Sequence, residues 1–334
     1  MPDIRYDPLK NRYSVFSPQR ALRPHAGYAK KREKRDYISP FEWGNEHMTP
    51  PEIFAIRDDD SRPDTPGWKI RVIPNAYSAL EKSENHKKER ECIYLHMGGY
   101  GYHEIVVETP DKFKQFEDFT IDEVSLLFWV FQKRASFLYT DKNIEYVQIF
   151  KNCGEEAGSS ILHSHSQIIA LPYIPSLTKR MLFQSKEYFS KFGKCLLCDE
   201  VECETGEKKR VVYENEKYIV YSPYASFFPY EMRVVSKLHS SDFIKIEKKS
   251  LDMLSDAVLS AIVALRRSIA DVSYNIIMHI LPKSEKDAYK FFHWHVEIVP
   301  RLNVWGGFEI GSGSAINSVL PEEAARELKT FARI

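Results

Sequence analysis

A His-x-His pattern occurs twice in the chain, at His163-Ser164-His165 and at His293-Trp294-His295, and each time it opens an apolar, β-favouring run. The segments before it recur in the same order. In the first half, residues 69–74 and 103–108 read as strands, Thr120-Ile121-Asp122-Glu123 is a capping box that starts a helix, and 145–150 is a further strand. In the second half, strands at 218–223 and 231–235, a helix from about Ser250 and a strand at 274–278 take the same places. Strand, strand, helix, strand, His-x-His strand, twice over, marks an internal duplication. Val124, Leu127, Phe128, Phe131 and Phe137 are spaced to face a core from the first helix, as are Leu251, Leu254, Val258, Ile262 and Leu265 from the second. The expected fold class is α+β, with two tandem repeats over residues 1–180 and 181–334. Each is a mostly antiparallel sheet packed with one long helix.

The copies differ where chemistry is expected. Ahead of its histidines the first copy carries a loop with Gly154, Gly158, Ser159 and Ser160, residues that let backbone N–H groups approach phosphate closely. The second copy carries the polar stretch 283–290 there instead. Alternate residues of a strand share a face, so His163 and His165 point the same way. A neutral imidazole at His165 can attack an α-phosphorus to give a nucleotidyl-imidazole. Gln167 is placed to hold a nonbridging oxygen, and the Ser159 and Ser160 N–H groups to meet developing charge. A general acid–base histidine of a hydrolase and a metal-ligand histidine are the competing readings.

The 47 basic and 47 acidic residues of this 334-residue chain cancel, which gives no electrostatic case for a nucleic-acid or membrane partner. No apolar tract is long enough to span a bilayer. Met1-Pro2-Asp3-Ile4-Arg5 lacks the apolar core of a secretory leader, and five cysteines are an odd count for a disulfide framework. A cytoplasmic globular protein is expected. Arg20 and Arg23, on a Pro-punctuated arm, are spaced to reach one anion or to sit in solvent. Cys195 and Cys198 have the bite for one structural zinc, with two more ligands from the histidines His239, His279, His293 and His295.

These motifs resemble the galactose-1-phosphate uridylyltransferase family of the histidine-triad superfamily, and within it the ADP-glucose phosphorylase-like adenylyltransferases. Ser17-Pro18, Arg20-Ala21, Arg71-Val72-Ile73-Pro74-Asn75, Gly101-Tyr102-His103-Glu104, the loop 152–167, His293-Trp294 and Gly306-Gly307-Phe308-Glu309 carry the likeness. Uridylyltransferases proper usually have Pro where Ser164 stands. The resemblance implies histidine-triad-like halves and makes His165 the nucleotidylated residue, with Gln167 and Ser160 beside it. It places Asn75, Asn152, Gly158 and Ser159 at the nucleotide, and Arg20 and Arg23 at phosphate. Glu309 would reach the sugar across a homodimer interface, and Cys195, Cys198, His239 and His293 would bind zinc. The implied substrates are an NDP-sugar and either a sugar 1-phosphate or phosphate, with uridine or adenosine as the base. A histidine-triad hydrolase and a zinc-stabilised nucleotide-binding or interaction protein without turnover are the remaining alternatives. Where the family has cysteines for a first-half zinc, this chain has Ser39 and Glu42. The expectation there is no metal and a hydrogen-bonded His163, with His47 or Glu46 as substitute ligands if a site survives.

Overall fold

The computed structural model describes residues 3–16, 37–82 and 89–332; the arm carrying Arg20 and Arg23 lies outside them. The chain opens with the hairpin β1 (Asp3–Asp7) and β2 (Arg12–Phe16). The first repeat follows as β3 (Phe54–Arg57), β4 (Trp68–Pro74), a small hairpin of β5 (Glu89–Glu91) and β6 (Tyr94–His96), β7 (Tyr102–Val107), α1 (Ile121–Leu138), β8 (Tyr146–Cys153) and β9 (His165–Leu171). Helices α2 (Ser176–Phe192) and α3 (Leu196–Glu207) lead into the second repeat. It comprises β10 (Val211–Glu214), β11 (Tyr218–Tyr221), β12 (Met232–Ser236), α4 (Lys248–Ser268), β13 (Tyr274–His279) and β14 (His295–Pro300). The short α5 (Gly307–Ser312), β15 (Ala315–Asn317) and α6 (Pro321–Lys329) close the described chain.

Ten strands form one sheet in the order β10-β11-β12-β14-β13-β8-β9-β7-β4-β3, with every pair antiparallel. The order is a palindrome of the duplication, because each strand of one half has its counterpart at the mirrored place in the other. The two half-sheets are joined edge to edge by β8 and β13, from Tyr274 opposite Cys153 to Met278 opposite Ile149. Each half thereby covers the edge the other would expose.

Helices α1 and α4 pack side by side on one face of this sheet. The main core, which includes Leu127, Phe128, Leu254, Val258, Ile168, Ala170, Val296 and Ile298, lies between them and the strands. The capping box predicted at the start of α1 is present, with both Thr120 and Glu123 side chains bonded to backbone N–H groups. Phe137 corrects the expected apolar face. It is 53% exposed, and its ring lies under the Arg134 guanidinium, which is turned inward to form a two-bond ion pair with Glu104. Strand β8 also runs further than the sequence pattern suggested, carrying Asn152 and Cys153 inside the sheet.

On the opposite face, the hairpin β1–β2 covers the second half. Lys10 places its ammonium 2.5 Å from Glu297 Oε1. Replacing Leu254, wholly buried on α4, with Ala is expected to cost about 2–5 kcal/mol in urea denaturation. Phe137→Ala should cost well under half of that, since half of its surface is already in water.

Candidate active site and metal centre

Ile168 and Ala170 of β9 face the helices and belong to the main core, so the strand alternation turns His165 and Gln167 to the other face. His165 is 6% exposed, and its Nδ1–H donates to the His163 carbonyl at 2.8 Å. The ring lone pair is therefore on Nε2. Burial, reinforced by the charge of Lys151, lowers its pKa to about 4 and outweighs the hydrogen bond to His163. The imidazole is neutral at pH 7 and able to act as a nucleophile. His163 plays a different part. Its Nε2–H donates to the Thr109 carbonyl at 2.6 Å, and its Nδ1 accepts from Ser39 Oγ at 2.8 Å. Both ring nitrogens of His163 are thus engaged by oxygens, in keeping with the hydrogen-bonded His163 expected here. Glu46 is occupied with the Gly44 N–H and the Trp68 indole.

The loop before the histidines turns tightly over residues 155–157. Gly154 and Gly158 flank that turn in the left-handed region, at φ 99° and 85°, which disfavours any residue with a Cβ. The Ser159 N–H is spent in closing the turn, on the Gly154 carbonyl at 3.0 Å. The Ser160 N–H donates to no backbone carbonyl among the described residues. Asn152 Oδ1 accepts from Asn275 Nδ2 at 2.8 Å, and the same amide donates to the Ala157 carbonyl at 2.9 Å. Ser273 Oγ donates to Glu156. The second repeat therefore braces the loop of the first, through the register that sets Asn275 opposite Asn152.

Gln167 and Asn75 are brought together by His103, a residue of the shared motif 101–104 with no role expected of it. His103 Nε2 lies 2.8 Å from Gln167 Oε1 and 3.1 Å from Asn75 Nδ2. Beneath the histidines, on the helix-facing side, a second unanticipated group is buried. Lys151 donates to Glu108 at 2.6 Å, to Ser164 Oγ at 2.9 Å and to the His165 carbonyl at 3.2 Å. Ser164 and Ser166 both donate to Glu108. One signal could have exposed this group. Glu108 and Lys151 fall at strand positions whose alternation calls for apolar residues, and a charge there needs a buried partner. Glu309 accepts from the Gly306 N–H at 2.9 Å at the start of α5.

Cys195, Cys198, His239 and His293 converge, with their ligand atoms within 4.8 Å of one another. Cys198 Sγ is 3.4 Å from His239 Nδ1 and 3.5 Å from His293 Nδ1. The far nitrogens are held by oxygens: His239 Nε2 by the Tyr289 carbonyl at 2.8 Å, and His293 Nε2 by Ser236 Oγ at 2.7 Å. That outer support orients both rings toward one point, as metal sites require. The Cys198 hydrogen bond, helped by the two histidines, holds the Cys195 thiol far below its usual range despite burial. Two thiols and two imidazoles form a possible metal centre. Of the other two second-half histidines, His279 and His295 gather instead around Glu297, where Lys10 already supplies a cation.

The chain has both sequence and structural relatives. The family model described as galactose-1-phosphate uridyl transferase, N-terminal domain, matches residues 1–175, and its C-terminal counterpart matches residues 182–334. The chain belongs to the galactose-1-phosphate uridylyltransferase family. It is 34% identical to ADP-glucose phosphorylase of Arabidopsis thaliana, over 98% of this chain and 92% of that protein. It is 28% identical to galactose-1-phosphate uridylyltransferase of Thermotoga maritima, over 98% of both. The crystal structure of the Arabidopsis ADP-glucose phosphorylase with bound ADP-glucose superposes with a TM-score of 0.85 at 32% identity, covering both chains completely. As a member of this family the protein is a nucleotidyltransferase, acting between nucleotide and phosphate-bearing partners.

Two outcomes are expected of this uridylyltransferase-family site. An NMR titration should find the His165 imidazole protonating with a midpoint near pH 4; a midpoint near the ordinary value of roughly 6.5 would show that burial does not control it. Glu108→Ala, which strands the Lys151 charge in the interior, should lose about 3–5 kcal/mol in chemical denaturation.

Proposed function

We propose that this protein transfers a nucleoside monophosphate from an NDP-sugar to a phosphate-bearing acceptor in two displacements through His165. The observation that carries this reading is a buried neutral imidazole beside Gln167 and the 152–160 loop, tied at Nδ1 and with no hydrogen bond at Nε2 among the described residues. In the first displacement Nε2 forms a P–N bond to the α-phosphorus, and the bond from that phosphorus to the bridging oxygen breaks. The sugar 1-phosphate leaves with that electron pair. In the second, an oxygen of the acceptor's phosphate attacks the same phosphorus, and the pair returns to Nε2. Gln167 holds a nonbridging oxygen through both steps, and the Ser160 N–H meets charge as it develops. Gly158 and Ser159 keep the loop in shape, and Asn75 and Asn152 line the nucleotide. Arg20 and Arg23 bring cationic forks to the phosphates from the N-terminal arm.

The primary reading has UDP-glucose as donor and hexose 1-phosphate as acceptor. An adenylyl donor with phosphate as acceptor is the second reading. It is favoured by the higher identity to the Arabidopsis ADP-glucose phosphorylase, 34% against 28% for the Thermotoga uridylyltransferase. The working assembly in either case is a homodimer, with Glu309 serving the sugar of the neighbouring subunit's site. A cytoplasmic location fits the five cysteines, each a free thiol, and neither nucleic acid nor membrane enters the reaction. No helix among the described residues is long and apolar enough to cross a membrane.

Incubation with α-phosphate-labelled UDP-glucose, ADP-glucose or ATP should leave label on the protein through an acid-labile, base-stable bond, and His165→Ala should abolish it. Undiminished label in that variant sinks the covalent route, and the best donor names the base. Zinc is the metal that the Cys195, Cys198, His239 and His293 donor set fits. Bound there by four protein ligands, it would cross-link the start of α3 to the loops before α4 and before β14, with no position open for substrate. Metal analysis should find about one zinc per chain, and Cys198→Ser should lose both that zinc and thermal stability.

A further inference from the structure

We propose that His103 is a positioning residue, one that fixes which end of the Gln167 amide meets the transferring phosphoryl group. This inference rests on the proposed roles of His165 and Gln167. Strand register sets Ile105 of β7 opposite Gln167 and His103 opposite Ile169, which puts His103 diagonally beside Gln167 on the open face. The Ala79 N–H approaches His103 Nδ1 at 3.3 Å. A backbone N–H can only donate, so Nδ1 is the acceptor and the proton of the neutral ring sits on Nε2. That Nε2–H donates to Gln167 Oε1 at 2.8 Å. The carbonyl end of the amide is thereby held, and the NH2 end is left to donate to a nonbridging phosphoryl oxygen.

The alternative orientation would be harmful. Rotated by half a turn, Gln167 would present its carbonyl oxygen to an oxygen that is gaining negative charge. The two ends of a carboxamide have nearly the same shape, so packing alone discriminates poorly between them. A neighbour with a defined donor does discriminate, and His103 is one. Asn75 does not compete with Gln167 for that proton. Its Oδ1 accepts the Tyr77 N–H at 2.9 Å, so the group it turns to His103 is NH2, which cannot draw the Nε2 proton from Gln167. The tight Asn75–Leu80 turn, which presents both the Tyr77 and the Ala79 N–H, therefore sets the polarity of a side chain on β9.

The test uses the full-length protein and the single-turnover rate of labelling from α-phosphate-labelled ADP-glucose and UDP-glucose. Gln at position 103 carries an N–H at about the reach of Nε2, whereas Asn carries one only at the reach of Nδ1. His103→Gln should stay within about threefold of wild type. His103→Asn should label about ten- to a hundredfold more slowly, with donor KM changed less than about threefold, because the loss falls on the transition state. His103→Leu is a second donor-free variant with the same expectation. In a Gln167→Ala background, His103→Asn should slow labelling by less than about twofold more, as expected of residues acting as a unit. Equal losses in the Gln and Asn variants, or full additivity with Gln167→Ala, would overturn the role of His103 while leaving the covalent reading intact. A wild-type protein that takes no label from either donor would overturn both.

Discussion

The antiparallel pairing of β8 with β13 is the contact on which the rest of this molecule depends. Each of these strands would otherwise end a half-sheet with a row of unmatched backbone donors and acceptors, the arrangement that invites aggregation. Paired, they make one sheet, bring α1 and α4 into contact on one face, and set the register between the repeats. That register decides what stands beside the reactive loop. Asn275 arrives opposite Asn152, and its amide holds both Asn152 and the Ala157 carbonyl. The shape of the 152–160 loop is thus partly a property of the other half of the chain.

Duplication also gives an internal control for what distinguishes the two copies of the motif. His295 repeats the geometry of His165, donating from Nδ1 to the carbonyl of the preceding histidine at 3.1 Å. Gln167 has become Glu297, whose charge would repel a phosphate. Although burial opposes it, that carboxylate is held ionised by Lys10, His279 and Arg233. His295 Nε2 is buried and lacks a hydrogen-bond partner among the described residues. The second copy has kept the frame and closed the door, and its other histidine has gone to the Cys195–Cys198 centre. A single backbone motif thus supports a buried ion-pair cluster in one half and a buried neutral imidazole in the other.

Much of this was legible in the sequence because it depends on local pattern. The repeat order, the capping box at Thr120 and the Gly/Ser loop each follow from residue types at fixed spacings, and the Cys-x-x-Cys from its bite. The convergence of His239 and His293 on the two cysteines came from family resemblance, since spacing alone left four histidines open. What escaped was set by register across strands. His103 touches Gln167 only because β7 pairs with β9, and Asn275 reaches Asn152 only because β13 pairs with β8. Phe137 failed for another reason. Helical spacing marks a face but does not reveal that a neighbouring Arg134 will turn inward and set its guanidinium over that ring. The Glu108–Lys151 group was readable in principle, as two charges on the apolar side of their strands.

The brace that Asn275 and Ser273 supply bears on how sequence variation in this protein should be interpreted. Neither residue belongs to a recognisable motif, and both lie far along the chain from His165. A substitution at either would nonetheless loosen the turn that presents the Ser160 amide, and would register as a defect in turnover more than in folding. Inheritance of the reactive loop is therefore shared between the repeats. If a single-repeat ancestor existed, it would have needed a second copy of itself to hold that loop, and the fused chain carries that partner with it.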